Sequence, residues 1–171
     1  MAIIKSVRGF TPKYGKDCFF SENAVVVGDV IMGDTCSIWF SAVLRGDVNS
    51  IRIGNNVNIQ DNATLHTLYQ KSIIEIGDNV SVGHNAVIHG AKINNNVLIG
   101  IGAIVLDHVE IGENSIIAAG AMVKSGTKVE SNSIYAGVPA KKVKNIEPEQ
   151  TKEMINKIAD NYSMYAGWYK E

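Results

Sequence analysis

Two cysteines and three prolines in 171 residues already exclude much. Cys18 and Cys36 form neither a CxxC metal pair nor a dense disulfide framework, so the expectation is reduced, buried thiols in a cytoplasmic protein. No apolar run approaches the ~18 residues of a membrane span. The opening MAIIKSVRGF is a poor signal peptide. The formal net charge is −1, so no basic excess argues for nucleic acid, and no basic amphipathic stretch argues for a membrane surface. What is present is 46% hydrophobic residues, enough for one domain with a real core. With so little proline, the 16 glycines point to a regular chain that turns often.

The turning has a period. From Ile93 an aliphatic or aromatic residue recurs every sixth position: Ile99, Val105, Ile111, Ile117, Val123, Val129, Tyr135. Backward, the series continues through Ile88, Val82, Ile76, Leu65, Ile59, Ile53, Leu44, Ile38, Met32 and Val27. Most of those steps are five or six; the steps Leu44 to Ile53 and Leu65 to Ile76 are longer. The fifth residue of each frame is small or β-branched, as at Ala63, Val80, Ala86, Val97, Ala103 and Ser115. Neither an amphipathic helix nor a hairpin sheet constrains two positions in six. A hexapeptide-repeat parallel β-helix does. Three short strands make a triangular coil of 18 residues, and about six to seven coils stack at ~4.8 Å. Asn and Gly in GNN, GDN and GEN suit corners with left-handed backbone angles. Left-handed coiling is expected because hexapeptide-repeat proteins generally have it. This β-helix domain is assigned to residues 1–145. Residues 146–171 are read as a terminal helix starting at Glu147-Pro148-Glu149. Its apolar stripe is Met154, Ile155, Ile158, Tyr162, Tyr165 and Trp168, for packing on the solenoid or on a neighbouring subunit.

The frame gives meaning to the histidines. His84 and His89 lie five apart in GHNAVIHG, which suits neither one helical face nor one side of a strand. Leu44, Leu65 and Ile88 fall on the same face, so Arg45, His66 and His89 should stack in successive coils once the two longer steps are counted. His66 and His89 would then be ~5 Å apart at the backbone, close enough to share a metal. His84 sits around a corner, in the slot that Asp61 occupies one coil earlier. A rotationally symmetric neighbour in a cyclic trimer could bring its own His84 to the pair. A lone turn histidine is usually only polar, and His108 in LDHV is read that way. Three of four histidines near one level, beside Arg45, Asp47, Gln60 and Asp61, are harder to dismiss.

LRGDVNSIRIGNNVNIQDNATLHT followed by GHNAVIHG resembles the γ-class carbonic anhydrases, and the resemblance spans nearly the whole chain. It implies a left-handed β-helix, a homotrimer and a metal between subunits, held by His66, His89 and His84 of the adjacent chain. It also implies an interface ion pair of Arg45 and Asp47, with Arg45 able to meet the product anion. Gln60 resembles the residue that hydrogen-bonds metal-bound solvent, Asp61 one that orients its neighbours, and Asn58 a weaker member of the cluster. Three neutral imidazoles leave a divalent ion its full charge and an open position. Water there, acidified from 15.7 to roughly 7, would attack CO2 and leave as bicarbonate. Zn2+ is the default, with Fe2+ or Co2+ as alternatives. Two departures bear on activity rather than fold: the positions of the family's proton-transfer glutamates hold Val48 and Tyr69. The competing readings are an acyl-coenzyme A thioester hydrolase or acyltransferase, and a non-catalytic trimeric scaffold.

Overall fold

The computed structural model describes residues 1–169. It is a parallel β-solenoid of about 7 turns followed by one helix. Most strands are two or three residues long, because each hexapeptide supplies one strand and one corner. One face carries Thr64–His66, Val87–His89, Ile104–Val105 and Met122–Val123. A second carries Ile74–Ile76, Lys92–Ile93, Glu110–Ile111 and Lys128–Val129. A third carries Ser37–Ile38, Asn58–Ile59, Ser81–Val82, Leu98–Ile99 and Ile116–Ile117. Pairing is parallel and in register from coil to coil.

The nine-residue step of the sequence is one long strand. Val43–Ile53 pairs with Val25–Met32, and both run from the first face to the second; the register shifts between Gly28 and Val30, where residues 47–50 of the longer strand bulge out. Two glycines permit the bend. Gly28 has φ +78, and a Cβ there would lie 2.3 Å from the Gly46 carbonyl oxygen. The eleven-residue step contains a loop, residues 67–73, closed by the Leu68 amide donating to Ser72 Oγ.

The frame-starting residues fill the axis: Leu44, Leu65, Ile88, Ile59, Ile99, Ile111 and Ile117 are fully buried. The small fifth residues Ala63, Ala86, Ala103 and Ala121 are buried beside them, where a larger side chain would push the coils apart. One corner is a ladder of asparagines. Asn56, Asn79, Asn96, Asn114 and Asn132 all have φ of 54 or 55. Each side-chain amide donates to the next carbonyl oxygen, at 3.0, 3.2, 3.1 and 3.1 Å. Asn96→Ala removes two of these bonds and puts alanine in the left-handed region, an expected loss of about 2 kcal/mol. Asn96→Gly, which keeps the backbone freedom, should lose less; urea unfolding of the two variants checks the order.

The helix, Pro148–Gly167, follows Glu147 as expected. Its buried face matches the apolar stripe of the sequence in part: Ile155 is buried, and Tyr162 and Tyr165 pack half-buried on Phe19 and Trp39. Thr151, Ile155, Ala159 and Ala166 are buried, whereas Met154 is 41% and Trp168 62% exposed. With these alanines on its buried side, the helix lies against Ser37–Ile38 and Ser81–Val82 of the third face. Among the described residues no helix is long and apolar enough to cross a membrane.

Candidate metal centre

Leu44, Leu65 and Ile88 point into the core, so the residue after each points outward. The register sets Arg45 opposite His66 and His66 opposite His89, as the step arithmetic requires. The two imidazole rings meet with centroids 5.2 Å apart, and His66 Nδ1 faces His89 Nε2 at 3.2 Å.

The outer nitrogens explain that approach. His66 Nε2 lies 3.2 Å from Asp47 Oδ1, and His89 Nδ1 lies 2.9 Å from Asp107 Oδ2. A carboxylate can only accept, so each outer nitrogen carries the proton and each inner nitrogen a lone pair. Two lone pairs therefore face one another. Burial, then the charge of Arg45, holds the His66 imidazole below the ordinary histidine value. A cation between them relieves the repulsion. Two nitrogens on a tetrahedral zinc, each 2.0–2.1 Å from the metal, would be about 3.3 Å apart. The pair fits a divalent ion.

The carboxylates behind the rings are also tuned. Burial pushes Asp47 up, but the hydrogen bond and charge of Arg45 outweigh it and hold its carboxyl below the usual range. Asp107 is likewise lowered against burial, by hydrogen bonds from Ser72 and His89. Ser72 Oγ donates to Asp107 Oδ1 at 2.6 Å and accepts from the Leu68 amide at 2.9 Å. A Cβ on Gly90 would lie 2.2 Å from Ser72 Oγ and 2.3 Å from Asp107 Oδ1. Only glycine leaves room for that pair. Carboxylate–histidine pairing of this kind orients metal ligands and raises their basicity.

A folded-state pKa below the unfolded one makes His66 a group that the unfolded chain protonates more readily. The metal-free protein should thus lose stability as pH falls below about 6.5, through the span between the two values. His66→Gln should lose less over the same span; denaturant titrations at pH 7.5 and 5.5 compare the two.

His84 stands around the corner. Its Nδ1 lies 2.7 Å from Asp61 Oδ2, and Asp61 Oδ1 accepts from the Phe40 amide at 3.2 Å. Its Nε2, left with a lone pair, lies 3.3 Å from the hydroxyl of Tyr162 on the terminal helix. Burial, then the charges of Asp61 and Tyr165, pushes that hydroxyl up to about 12, so it is a donor at neutral pH. The helix aromatics were expected only to pack; Tyr162 also reaches a histidine of the site. Asn58 and Gln60 are buried and linked: Asn58 donates to Ser81 Oγ at 2.7 Å, Gln60 donates to Asn58 Oδ1 at 3.0 Å, and the His84 amide donates to Gln60 Oε1 at 3.2 Å.

Arg45 donates to Asp47 within its own chain, at 2.6 Å. Tyr69 lies exposed under the Arg8 guanidinium, and Val48 is half-buried. His108 occupies a corner with φ 61, as a turn residue. Asp107 and Ser72 were not singled out in the sequence. The one available signal was that Asp107 follows His89 by 18 residues, one coil. Among the described residues no three His, Cys, Asp or Glu side chains within the chain gather to hold a metal. The chain presents a pair on one side of the corner and His84 on the other.

A family model described as bacterial transferase hexapeptide (six repeats) matches residues 90–125. The carbonic anhydrase of Geobacillus kaustophilus is 40% identical over 168 residues, 98% of this chain and 91% of that one. A Bacillus cereus structure described as a candidate acetyltransferase is 37% identical, with a TM-score of 0.93 over 99% of this chain and 97% of that one. The N-acyltransferase AntD of Bacillus cereus, solved with a dTDP-sugar and coenzyme A, shares the fold alone: 17% identity and TM-score 0.60 over 87% of this chain and 90% of that one.

Proposed function

Because the chain belongs to the γ-class-like carbonic anhydrase family of hexapeptide-repeat proteins, we propose that it catalyses the reversible hydration of CO2 to bicarbonate at a metal shared between subunits of a homotrimer. The observation that carries this reading is the pair of inner lone pairs on His66 and His89, 3.2 Å apart and each backed by a carboxylate. His84 of the adjacent subunit would complete the set through Nε2, the Tyr162 hydroxyl giving up that lone pair to the ion. The metal is Zn2+ by default, or Fe2+ or Co2+, since imidazole suits all three. Bound there, the ion supplies hydroxide at neutral pH by lowering the pKa of water from 15.7 to roughly 7.

The protein's own groups do the rest. Asp47 and Asp107 hold the outer protons of His66 and His89 and so keep the inner lone pairs aimed at the ion. Asp61 does the same for His84. Gln60 has one amide proton left after bonding Asn58, and that proton is free to orient solvent. The Arg45 side chain is 45% exposed, and its fork of donors serves to receive the bicarbonate anion. Among the described residues beside the ligands no carboxylate stands free to carry protons away: Asp47, Asp61 and Asp107 are committed behind the histidines, and Val48 and Tyr69 cannot substitute. Protons must leave through buffer, which makes turnover slow in buffer-poor water.

Stopped-flow CO2 hydration by the zinc-loaded and iron-loaded protein, at two imidazole buffer concentrations, tests the proposal. It predicts catalysis that rises with buffer. No rate above background with either metal would refute it. The second reading, acyl transfer from coenzyme A or hydrolysis of its thioesters, rests on the likeness to the candidate acetyltransferase. Release of thiol from acyl-coenzyme A, with no CO2 hydration, would favour it.

A further inference from the structure

Cys18 and Cys36 are free thiols that the hydration chemistry does not use. Cys36 is buried, as the sequence predicts, but Cys18 is only half-buried. The two are stacked. Phe19–Phe20 pairs in register with Ser37–Ile38, so the residue before each strand meets its counterpart one coil on. The Phe19 amide donates to the Cys36 carbonyl oxygen at 2.8 Å. Both side chains face the solenoid axis, Cys36 within the core and Cys18 packed against it. The same column continues as Val57, Val80 and Val97, whose carbonyl oxygens accept from Ser37, Asn58 and Ser81. Sulfur therefore replaces an aliphatic side chain only at the end of the column. That end is open: Phe19–Phe20 is the edge strand of the third face.

The stacking suits a covalent bond. Paired strands lie ~4.8 Å apart, inside the roughly 4.4–6.8 Å that separates the Cα atoms of a disulfide. Cys18 Sγ donates to the Gly33 carbonyl oxygen at 3.3 Å, so it leans toward the coil that holds Cys36. Cys36 Sγ donates to the Gly54 carbonyl oxygen at 3.2 Å. Both carbonyls also accept a backbone amide, from Gly15 and Gly33 respectively, each at 3.2 Å. Removing the two thiol protons thus leaves no buried acceptor without a partner.

The two thiols differ in acidity. A hydrogen bond from Cys36 outweighs burial and brings the Cys18 thiol down to about 7. The same contact, with burial, pushes Cys36 up. Near neutral pH about half of Cys18 is then thiolate, against a few per cent for an ordinary cysteine. An accessible thiolate next to a second thiol is the pattern of a peroxide-reactive cysteine with its resolving partner. Asp34 selects the oxidant. Its charge bears on Cys18 and would repel an anionic disulfide, whereas hydrogen peroxide is small and neutral.

We infer that Cys18 and Cys36 form a reversible oxidation site, in which Cys18 reacts with hydrogen peroxide and Cys36 resolves the product to a disulfide that staples two neighbouring coils. The Cys18 thiolate attacks one peroxide oxygen. The O–O bond breaks, a sulfenic acid forms and hydroxide leaves. The Cys36 sulfur then attacks the Cys18 sulfur and gives its proton to that hydroxide. The S–O bond breaks, and the sulfenic oxygen leaves as water once it takes up the proton that the Cys18 thiol released. Two thiols are oxidised to one disulfide, and one peroxide is reduced to two waters. The step needs neither the metal nor CO2, so it stands or falls separately from the proposed activity.

The chain has two cysteines, so a thiol count reads the reaction directly. The full-length protein is treated with hydrogen peroxide, quenched, unfolded and titrated for free thiols. The wild-type count should fall from two per chain to none and return to two with dithiothreitol. The chain should still run as a monomer on non-reducing denaturing electrophoresis. These readings need no variant to fold. Cys36→Ser, oxidised in the presence of dimedone, should carry the sulfenic-acid adduct on Cys18. Cys18→Ser should lose its remaining thiol about tenfold more slowly than wild type or worse, because Cys36 is buried and held protonated. Retention of both wild-type thiols, a loss that dithiothreitol does not reverse, or chains linked to one another would overturn the inference. So would Cys36→Ser without the adduct, or Cys18→Ser oxidised at the wild-type rate.

Discussion

His89→Ala should abolish metal binding and bring CO2 hydration down to the uncatalysed rate, while leaving the fold intact. The side chain lies between two others, with its inner nitrogen on the shared point with His66 and its outer nitrogen on Asp107. Removing it leaves His66 alone on this chain. A divalent ion then has two histidines at most, short of the three that a catalytic zinc site uses. Folding is spared because the side chain points out of the solenoid, 27% exposed, while the core position is the neighbouring Ile88. Metal content by elemental analysis, near-ultraviolet circular dichroism and stopped-flow rates on one sample check all three parts. A variant that kept both metal and activity would remove His89 from the site.

The next largest effect is expected at a residue that touches no metal. Asp107→Asn should weaken metal binding by about 10- to 100-fold, the usual range when an outer partner of a metal ligand is lost. The carboxylate forces the His89 proton onto Nδ1 and leaves Nε2 its lone pair. Asparagine can present an N–H to Nδ1 instead, and that tautomer puts the proton on Nε2, where the ion would sit. Asp107→Ala removes the orientation without offering the wrong donor and should fall in the same range. Competition with a chelator of known affinity measures the loss. An unchanged affinity in both variants would mean that His89 needs no partner to hold its orientation.

The solenoid was legible because a hexapeptide step writes the core directly into the sequence: Ile93 to Tyr135 repeats without a break, and those aliphatic positions are the buried axis. The stacking of Arg45, His66 and His89 was legible for the same reason, since counting the long steps as a strand continuation and a loop restores the register. The nearness of Asp61 to His84 followed from sharing one slot in successive coils. What the period could not carry were contacts made off the repeat. Ser72 comes from the loop that interrupts it, and Asp107 sits at a corner, where polar residues are ordinary. Tyr162 reaches His84 across 78 residues because the helix lies against the third face. Periodicity gave that helix an apolar stripe, and the stripe pointed to Met154 and Trp168, which stay exposed. The Arg45–Asp47 pair, expected at an interface, closes within the chain.

The central claim is that the metal site is divided between subunits, and subunit complementation tests it most directly. His84→Ala and His89→Ala proteins should each be inactive. Unfolded together in equal amounts and refolded, they should regain about one quarter of the wild-type sites. A competent interface needs the His66/His89 pair from a His84→Ala chain and His84 from a His89→Ala chain, and in a cyclic trimer of randomly mixed chains that happens about one time in four. Metal content and CO2 hydration should rise together to that level. If both stay at the level of the separate variants, while refolded wild type recovers fully, the divided site is contradicted.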